Sequence, residues 1–279
     1  MDDPIDRPKE EDPWNEYDEE IAALLALLFW NRFSKHSEGI LSEVDKSFLG
    51  KGDINFHLWE LSGNNHSLLN LADEDAIAAS LRKSFASGSS MVSGGTLSSG
   101  ERATVDQFVH TNVKIIRRYA DTYFDSHVVA DILEQVNSTD TVLTQAETKA
   151  AVLLKIQEAL SPANPYWSLL SGQAAVRTHN YGILKTAKNL GISGYRLVAV
   201  IDSKTTRLCR SLHGREFWVS DGIARYESII GIEPSSIASA HPWINSEMDV
   251  TNMSNQELIS GGILVPPFHA YCRTTLQPI

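Results

Sequence analysis

The pattern of apolar positions predicts a helix near the start of the chain. Within residues 18–48, apolar side chains follow the spacing of one helical face at Ile21, Leu24, Leu25, Leu28, Phe29 and Phe33. Leu27 and Trp30 widen this face, so we expect the helix either to be deeply buried or to contact a partner. Residues 49–71 contain three glycines and the pair Asn64–Asn65, and this composition predicts loops.

Helical spacing returns in four further segments, at residues 73–85, 101–137, 144–160 and 166–190. Thr144 and Glu147 have the spacing of a capping box, which favours a helix start at this point. Gly191 follows the last of these segments and suits a helix C-terminus, because glycine adopts the left-handed conformation without strain. We therefore expect a mostly helical region up to about residue 190.

The apolar period changes after residue 194, where β-branched and apolar residues replace the helical pattern. The run YRLVAVI at 195–201 predicts a buried strand, EFWV at 216–219 a second, and TTLQ at 274–277 a short third. Residues 220–262 are mixed, with helical patches. The fold class predicted from this order is α+β, with a mostly helical N-terminal region followed by a small α+β domain of a few strands.

Composition suggests where the chain divides. Residues 86–100 read ASGSSMVSGGTLSSG, and such small, polar, glycine-rich sequence predicts a flexible loop. The expected organisation is an acidic, disordered tail at 1–20, a helical region at 21–150 that contains this loop, and an α+β domain at 151–279.

The net charge of −11 is concentrated at the N-terminus. Residues 1–20 hold ten acidic residues against Arg7 and Lys9, and so carry eight of the eleven net negative charges. Such a segment is either a solvated tail or an arm that docks on a basic partner surface, and Trp14 and Tyr17 keep the second interpretation open. A nearly neutral remainder excludes avid, non-specific nucleic-acid binding. The N-terminus does not resemble a signal peptide, and the longest apolar run, 21–30, is about half the length of a membrane span. We expect synthesis in the cytoplasm and no membrane association.

Four residues near the C-terminal end form a candidate metal site. Cys209 and His213 are spaced C-x3-H, and His269 and Cys272 are spaced H-x2-C. Two thiolates and two imidazoles would make a tetrahedral zinc site. Three alternatives stay open: the cysteines are ordinary buried side chains, they form a disulfide, or His213 only hydrogen-bonds at the turn before Gly214. Ahead of His269, Pro266 and Pro267 fix the approach of the backbone.

The same residues resemble a known family. The segments DSKTTRLCRSLHG at 202–214 and PPFHAYCR at 266–273 are similar to the signature of phage Mu F-like minor head proteins, also called phage head-morphogenesis proteins. In that family a strand leads into an Asp-x-x-Thr turn and a Cys-x-x-Leu-(Asp/His)-Gly segment, and the domain closes with Pro-Pro-x-His-x-x-Cys-Arg. The helix residues AVRTHN at 175–180 are similar to the family's Arg-Thr helix. The resemblance covers about residues 150–279.

This resemblance implies a minor structural protein of the virion, found at the portal vertex of a tailed-phage head. It implies that the protein acts in head morphogenesis or in DNA packaging or ejection, with the portal or major capsid protein as partner and the packaged DNA as an indirect one. Many members carry further cysteines where this chain has Thr206 and Thr274. Their absence leaves Cys209, His213, His269 and Cys272 as the four-ligand set.

Two enzymatic interpretations compete with the structural one. Cys209 and His269 could form a nucleophile–base pair oriented by Asp202, although no nucleophile motif surrounds Cys209. Arg177 and Thr178, with Glu216 or Glu227, can be aligned with the Arg…Ser/Thr…Glu pattern of ADP-ribosyltransferases, which makes a phage-delivered enzyme of that type the runner-up. A simpler expectation for Arg177 is an ion pair with Asp202. There is no P-loop, GxGxxG or HExxH motif, and we expect a non-enzymatic protein without a small-molecule substrate.

Overall fold

Helices account for most of the described chain, and one small sheet follows them, as predicted for an α+β fold. A computed structural model of the protein describes residues 19–28, 30–31, 34, 39, 41–42, 69–92, 97–137, 144–161 and 164–279. Residues 1–18 of the acidic tail predicted at 1–20, including Trp14 and Tyr17, lie outside the described residues, and so do residues 49–68 of the loops predicted at 49–71. Residues 19, 20 and 71 are helical. The described positions between 19 and 42 are helical, in line with the helix predicted there.

From residue 69 onward, five described helices precede the sheet. They are α1 (Leu71–Ser90), α2 (Ser99–Tyr123), α3 (Ala130–Asn137), α4 (Gln145–Leu160) and α5 (Pro165–Asn189), with a π-helical segment, Phe124–Val129, between α2 and α3. The predicted capping box is confirmed, because the Thr144 side chain accepts from the Glu147 N–H and the Glu147 carboxylate accepts from the Thr144 N–H. Gly191, with φ 74°, follows α5 as predicted.

The flexible loop predicted at 86–100 is wrong over residues 86–90, which are the last five residues of α1. The reason is close packing against α5. A Cβ added to Gly88 would lie 1.9 Å from the carbonyl oxygen of His179, and one added to Gly182 would lie 2.2 Å from that of Phe85. Small residues here let two helix backbones approach each other, so the composition reflects a helix contact.

The sheet has the strand order β2-β1-β3, with both pairs antiparallel. Its strands are β1 (Gly194–Ala199), β2 (Glu216–Trp218) and β3 (Thr274–Pro278), close to the three predicted runs. Leu197 of β1 is opposite Leu276 of β3. The Leu276 N–H donates to the side-chain oxygen of Asn180, which attaches the edge strand β3 to α5.

Short helices connect the strands. They are α6 (Arg207–Leu212) between β1 and β2, then α7 (Val219–Glu227), a 3-10 turn at Pro234–Ser236, α8 (Ile237–Ala240) and α9 (Asn255–Ser260) between β2 and β3. The helix α6 therefore follows directly on the strand at the centre of the sheet. The chain then runs through more than fifty residues before it returns as β3 beside that same strand.

The described chain separates into two compact units that are discontinuous in sequence. The first includes Ala76–Ile115 and Leu169–Ile279, and the second includes Ile116–Ser168. The predicted division at 150/151 is a position inside α4. In the first unit, buried rings of Phe108, Tyr181 and Tyr226 pack on one another with centroid distances of 4.2–6.0 Å. In the second, Tyr123 stacks on Tyr166 at 4.1 Å. Of the described helices, none is long and apolar enough to span a membrane.

Candidate metal centre

Cys209 is positioned by the turn that joins β1 to α6. The side chain of Thr206 caps α6 and accepts from the backbone N–H of Cys209. Before it, the Asp202 carboxylate accepts from the Lys204 N–H and from the Thr205 hydroxyl. These local hydrogen bonds fix the first turn of α6, so the Cys209 side chain is presented from a defined position at the end of the central strand.

The segment 266–273 brings the other two candidate ligands to the same place. The Pro266–Pro267 peptide bond is cis. Tyr226, whose pKa is raised by burial, donates its hydroxyl proton to the Pro266 carbonyl. The Ile244 N–H donates to the Phe268 carbonyl, and the Gln173 side-chain amide donates to the His269 carbonyl at 3.3 Å. Neighbouring elements therefore hold the backbone of this segment at Pro266 and at the two residues after Pro267.

Three of the four predicted ligands meet in the structure. The Sγ of Cys209 lies 3.0 Å from the Nε2 of His269 and 3.9 Å from the Sγ of Cys272. All three ligand atoms lie within 4.8 Å of one another, and all three residues are buried. Both cysteines are free. A cluster of two thiols and an imidazole in this arrangement can hold a metal ion.

The remaining ring nitrogen of His269 determines which atom is available to a metal. Its Nδ1 lies 2.6 Å from the Ala270 carbonyl oxygen. A carbonyl oxygen only accepts, so Nδ1 carries the proton and Nε2 has its lone pair directed at the cysteines when the ring is neutral. A histidine ligand held by a backbone carbonyl in this way is a recurring feature of protein metal sites.

The three side chains shift one another's protonation. The hydrogen bond between the two cysteines is the largest cause that lowers the pKa of Cys209, and His269 and Thr274 lower it further. Burial raises the pKa of Cys272 well above its ordinary value, and the hydrogen bond to Cys209 adds to that. Burial lowers the pKa of His269, but the hydrogen bond and charge of Cys209 and the Ala270 carbonyl outweigh it, and the net shift is upward. Cys209 is thus the group of this cluster most ready to act as an anionic ligand.

His213, the fourth predicted ligand, is not in the cluster, and that part of the prediction is wrong. It follows the last residue of α6, where its side chain is exposed and its Nδ1 accepts from the Ala199 N–H at 3.1 Å. The hydrogen bond at a turn before Gly214, one of the alternatives left open by the sequence, is the one that the structure contains. The helix α6 ends at Leu212, and the His213 ring is engaged by the Ala199 N–H at the end of β1 and not by the cluster.

Two neighbours that spacing alone does not identify complete the surroundings of the cluster. The Thr206 hydroxyl lies 3.0 Å from the Nε2 of His269, and the Thr274 hydroxyl lies 3.4 Å from the Sγ of Cys209. From the sequence alone, both positions were noted as ones where members of the phage Mu F-like family carry cysteine. That comparison was the available signal that these two side chains would adjoin the ligands.

An ion pair joins the two motif segments beside the cluster. Arg273 donates to the Asp202 carboxylate at 2.6 Å. This guanidinium is the largest cause that holds the pKa of Asp202 well below its ordinary value, with help from Thr205 and the Lys204 N–H. Two expectations were therefore wrong. Asp202 pairs with Arg273 and not with Arg177. The Nδ1 of His269 contacts the Ala270 carbonyl and not Asp202.

The residues aligned with an ADP-ribosyltransferase pattern have structural contacts of their own. The Nε of Arg177 donates to the Gln173 carbonyl. Glu216 forms an exposed ion pair with Arg196 on the neighbouring strand. Glu227 accepts from the Tyr181 hydroxyl at 2.7 Å and pairs with the buried Lys185 at 3.3 Å.

A cavity opens beside the cluster, on the side of Cys209 and His269. Besides these two, its lining includes Lys204, Thr206, Tyr271 and Arg273. The site is thus a buried Cys2His cluster with hydroxyl neighbours and one accessible side. Comparisons of the chain with protein-family models, with curated proteins and with solved structures each found no match.

Proposed function

We propose that the chain is a minor structural protein of a tailed-phage head, associated with the portal or major capsid protein and acting in head morphogenesis or in DNA packaging or ejection. In this proposal, Cys209, His269 and Cys272 hold one zinc ion that ties the C-terminal strand to the rest of the α+β region. The protein is assembled into the virion after its synthesis in the host cytoplasm.

One observation carries the proposal. The two segments that resemble phage Mu F-like proteins, 202–214 and 266–273, meet in space, and the residues that define the resemblance touch one another. Asp202 binds Arg273 at 2.6 Å, and Cys209 lies 3.0 Å from His269. Residues that only happen to match a motif have no reason to converge, so this convergence supports treating the motif as one structural unit.

Zinc is the metal that suits the donor set best. Zinc accepts thiolate and imidazole together and has no redox chemistry of its own. Two thiolates bound to one tetrahedral zinc at about 2.3 Å are about 3.8 Å apart, and the observed separation of the two Sγ atoms is 3.9 Å. The imidazole is closer to Cys209 than a shared zinc allows, so it would withdraw by about half an ångström when the ion enters.

A structural role suits the surroundings better than catalysis. No acidic side chain is among the described residues that line the cavity beside Cys209 and His269, so a general base other than the ligands themselves is missing from its wall. Asp202, which could orient His269 in a nucleophile–base pair, is held by Arg273. A zinc ion bound to both thiolates would also consume the nucleophile that such an enzyme needs.

Assembly tests the function. We expect portal and terminase genes beside the gene for this chain. The full chain should be co-expressed with the portal and major capsid proteins of the same genome, and heads should be isolated by sedimentation. We expect the chain in the head fraction in far fewer copies than the capsid protein. Isolated heads that contain none of the co-expressed chain would contradict the proposal.

An activity test addresses the enzymatic alternative directly. The full chain should be incubated with NAD and common nucleotides, and we expect no turnover. Consumption of NAD that is abolished by Arg177→Ala or Glu216→Gln in a folded variant would overturn the structural assignment and establish the ADP-ribosyltransferase-like one.

A further inference from the structure

The described protein ligands of the cluster number three, one short of a closed tetrahedral site. Cys209, His269 and Cys272 supply one ligand atom each, and His213 is bound to the Ala199 N–H instead. Structural zinc sites almost always use four protein ligands, whereas a site with three protein ligands leaves one position to an exchangeable molecule. The proposed tie between the C-terminal strand and the sheet needs only the three. The neighbouring side chains Thr206, 3.0 Å from the Nε2 of His269, and Thr274, 3.4 Å from the Sγ of Cys209, offer neutral hydroxyls, which are weak competitors for zinc.

The three ligands do not all line the same cavity. Cys209, His269 and Thr206 line the larger cavity beside the cluster, and Cys272 does not. Cys272 instead lines a second, smaller cavity together with Gln173, Val176 and Pro267. A metal held between the three ligands therefore has the larger cavity on the side of Cys209 and His269.

Charge in the cavity selects what can enter. Lys204 and Arg273 both line it, and none of its described lining residues is acidic. Arg273 is already bound to Asp202, which leaves Lys204 as the cation available to a ligand. Two thiolates cancel the charge of a zinc ion, so an attraction for anions has to come from Lys204.

We infer that the metal bound by this cluster has one exchangeable coordination position, open to the cavity, and that this position takes a small anion assisted by Lys204. This inference rests on the proposed metal site and makes it an accessible centre. The ligand class is a small anion with a nitrogen or oxygen donor, of which azide is a usable probe.

Cobalt substitution makes this position visible. The full chain is loaded with Co²⁺ in place of zinc, and its visible d–d absorption is followed while sodium azide is added at constant ionic strength. We expect a saturable change in the bands. Absence of any cobalt bands would mean that the cluster holds no metal, which refutes the proposed site itself. Cobalt bands that do not respond to azide would refute only the open position.

Variants of Thr206 test whether the coordination position is open, and variants of Lys204 test whether it prefers anions. Lys204→Ala should raise the azide dissociation constant about threefold, as expected for one partly screened charge, and Lys204→Arg should not. Thr206→Cys should supply a fourth thiolate and abolish the response to azide, while Thr206→Ser, which keeps the hydroxyl, should preserve it. Imidazole serves as a neutral nitrogen donor. Tighter binding of imidazole than of azide, or azide binding that is unchanged in Lys204→Ala, would overturn the anion assignment.

Discussion

The Nε2 of His269 lies 3.0 Å from the Sγ of Cys209, a residue sixty positions earlier in the chain. Cys209 is on a six-residue helix after the central strand, and His269 is on the irregular segment before the last strand. Because those two strands are hydrogen-bonded neighbours, any ion shared by the pair would join the end of the chain to the middle of the sheet. A metal ion bound by this pair would therefore couple metal binding to the stability of the α+β region.

Two histidine variants test whether the zinc ligands are the three residues that meet in the structure or also include His213, as the sequence spacing predicted. His269→Ala should lower zinc affinity by more than the roughly 10- to 100-fold that loss of an outer neighbour costs. His213→Ala should leave zinc affinity unchanged and cost about 1 kcal/mol of stability through the lost hydrogen bond to Ala199. Zinc competition with a chromophoric chelator measures both. Equal loss of zinc in the two variants would restore His213 as a ligand.

The contact between α1 and α5 is the second point open to test. Gly88→Ala should reduce the free energy of unfolding by about 1 to 3 kcal/mol, the usual range for overpacking a tight contact, because the added methyl meets the His179 carbonyl at 1.9 Å. Gly100, which is also helical, has nothing within 4 Å of an added Cβ. Gly100→Ala should therefore be neutral or stabilise by up to about 0.5 kcal/mol. Denaturant unfolding of both variants makes the comparison, and equal stability would show that the two helices do not touch as described.

The buried side chain of His179 should make the folded protein less stable at acidic pH. Burial lowers the pKa of this histidine from 6.5 to about 4. Between those values the unfolded chain binds a proton that the folded chain does not, so stability rises with pH across this window and is lost as the pH falls through it. We expect His179→Gln to remove about 1 to 2 kcal/mol of the stability change between pH 7.5 and pH 5. Unfolding free energies of both proteins at both pH values test this. The idea fails if the variant and the parent lose the same amount.

The Asp202–Arg273 ion pair should contribute more to the free energy of unfolding than an exposed ion pair does. The Arg273 side chain is 9% exposed, whereas Arg196 and Glu216 in the ion pair between β1 and β2 are 44% and 51% exposed. Asp202→Asn should cost about 2 kcal/mol, because a nearly buried guanidinium loses its carboxylate. Glu216→Gln should cost less than about 1 kcal/mol. Thermal unfolding of both variants should show this order, and a larger effect of Glu216→Gln would contradict the assignment.

The sequence predicted those features of the fold that depend on residues near one another in the chain, such as helix ends and strands. The capping box at Thr144 and Glu147 defined the start of α4, and Gly191 marked the end of α5. The change from helical spacing to short runs of β-branched and apolar residues predicted all three strands within about two residues of their observed positions. These features depend on neighbours in sequence, which is why spacing alone was enough to find them.

Features set by tertiary contact were not accessible in the same way. Gly88 lies in a stretch whose composition favours a loop, but the backbone of α5 passes close to it and requires a residue without a side chain. The position of His213 depends on how α6 leaves the strand, which the C-x3-H spacing does not encode. Two of the three cluster residues, His269 and Cys272, were close in sequence, and only the sheet brought Cys209 to them.

X-ray absorption at the zinc edge of the purified full-length chain tests the central claim most directly. We expect about one zinc per chain, with two sulfur ligands at about 2.3 Å and the remaining ligands nitrogen or oxygen at about 2.0–2.1 Å. A chain that folds in chelator without zinc, with Cys209 and Cys272 as free thiols or joined in a disulfide, would contradict it. So would a zinc ion without two sulfur ligands.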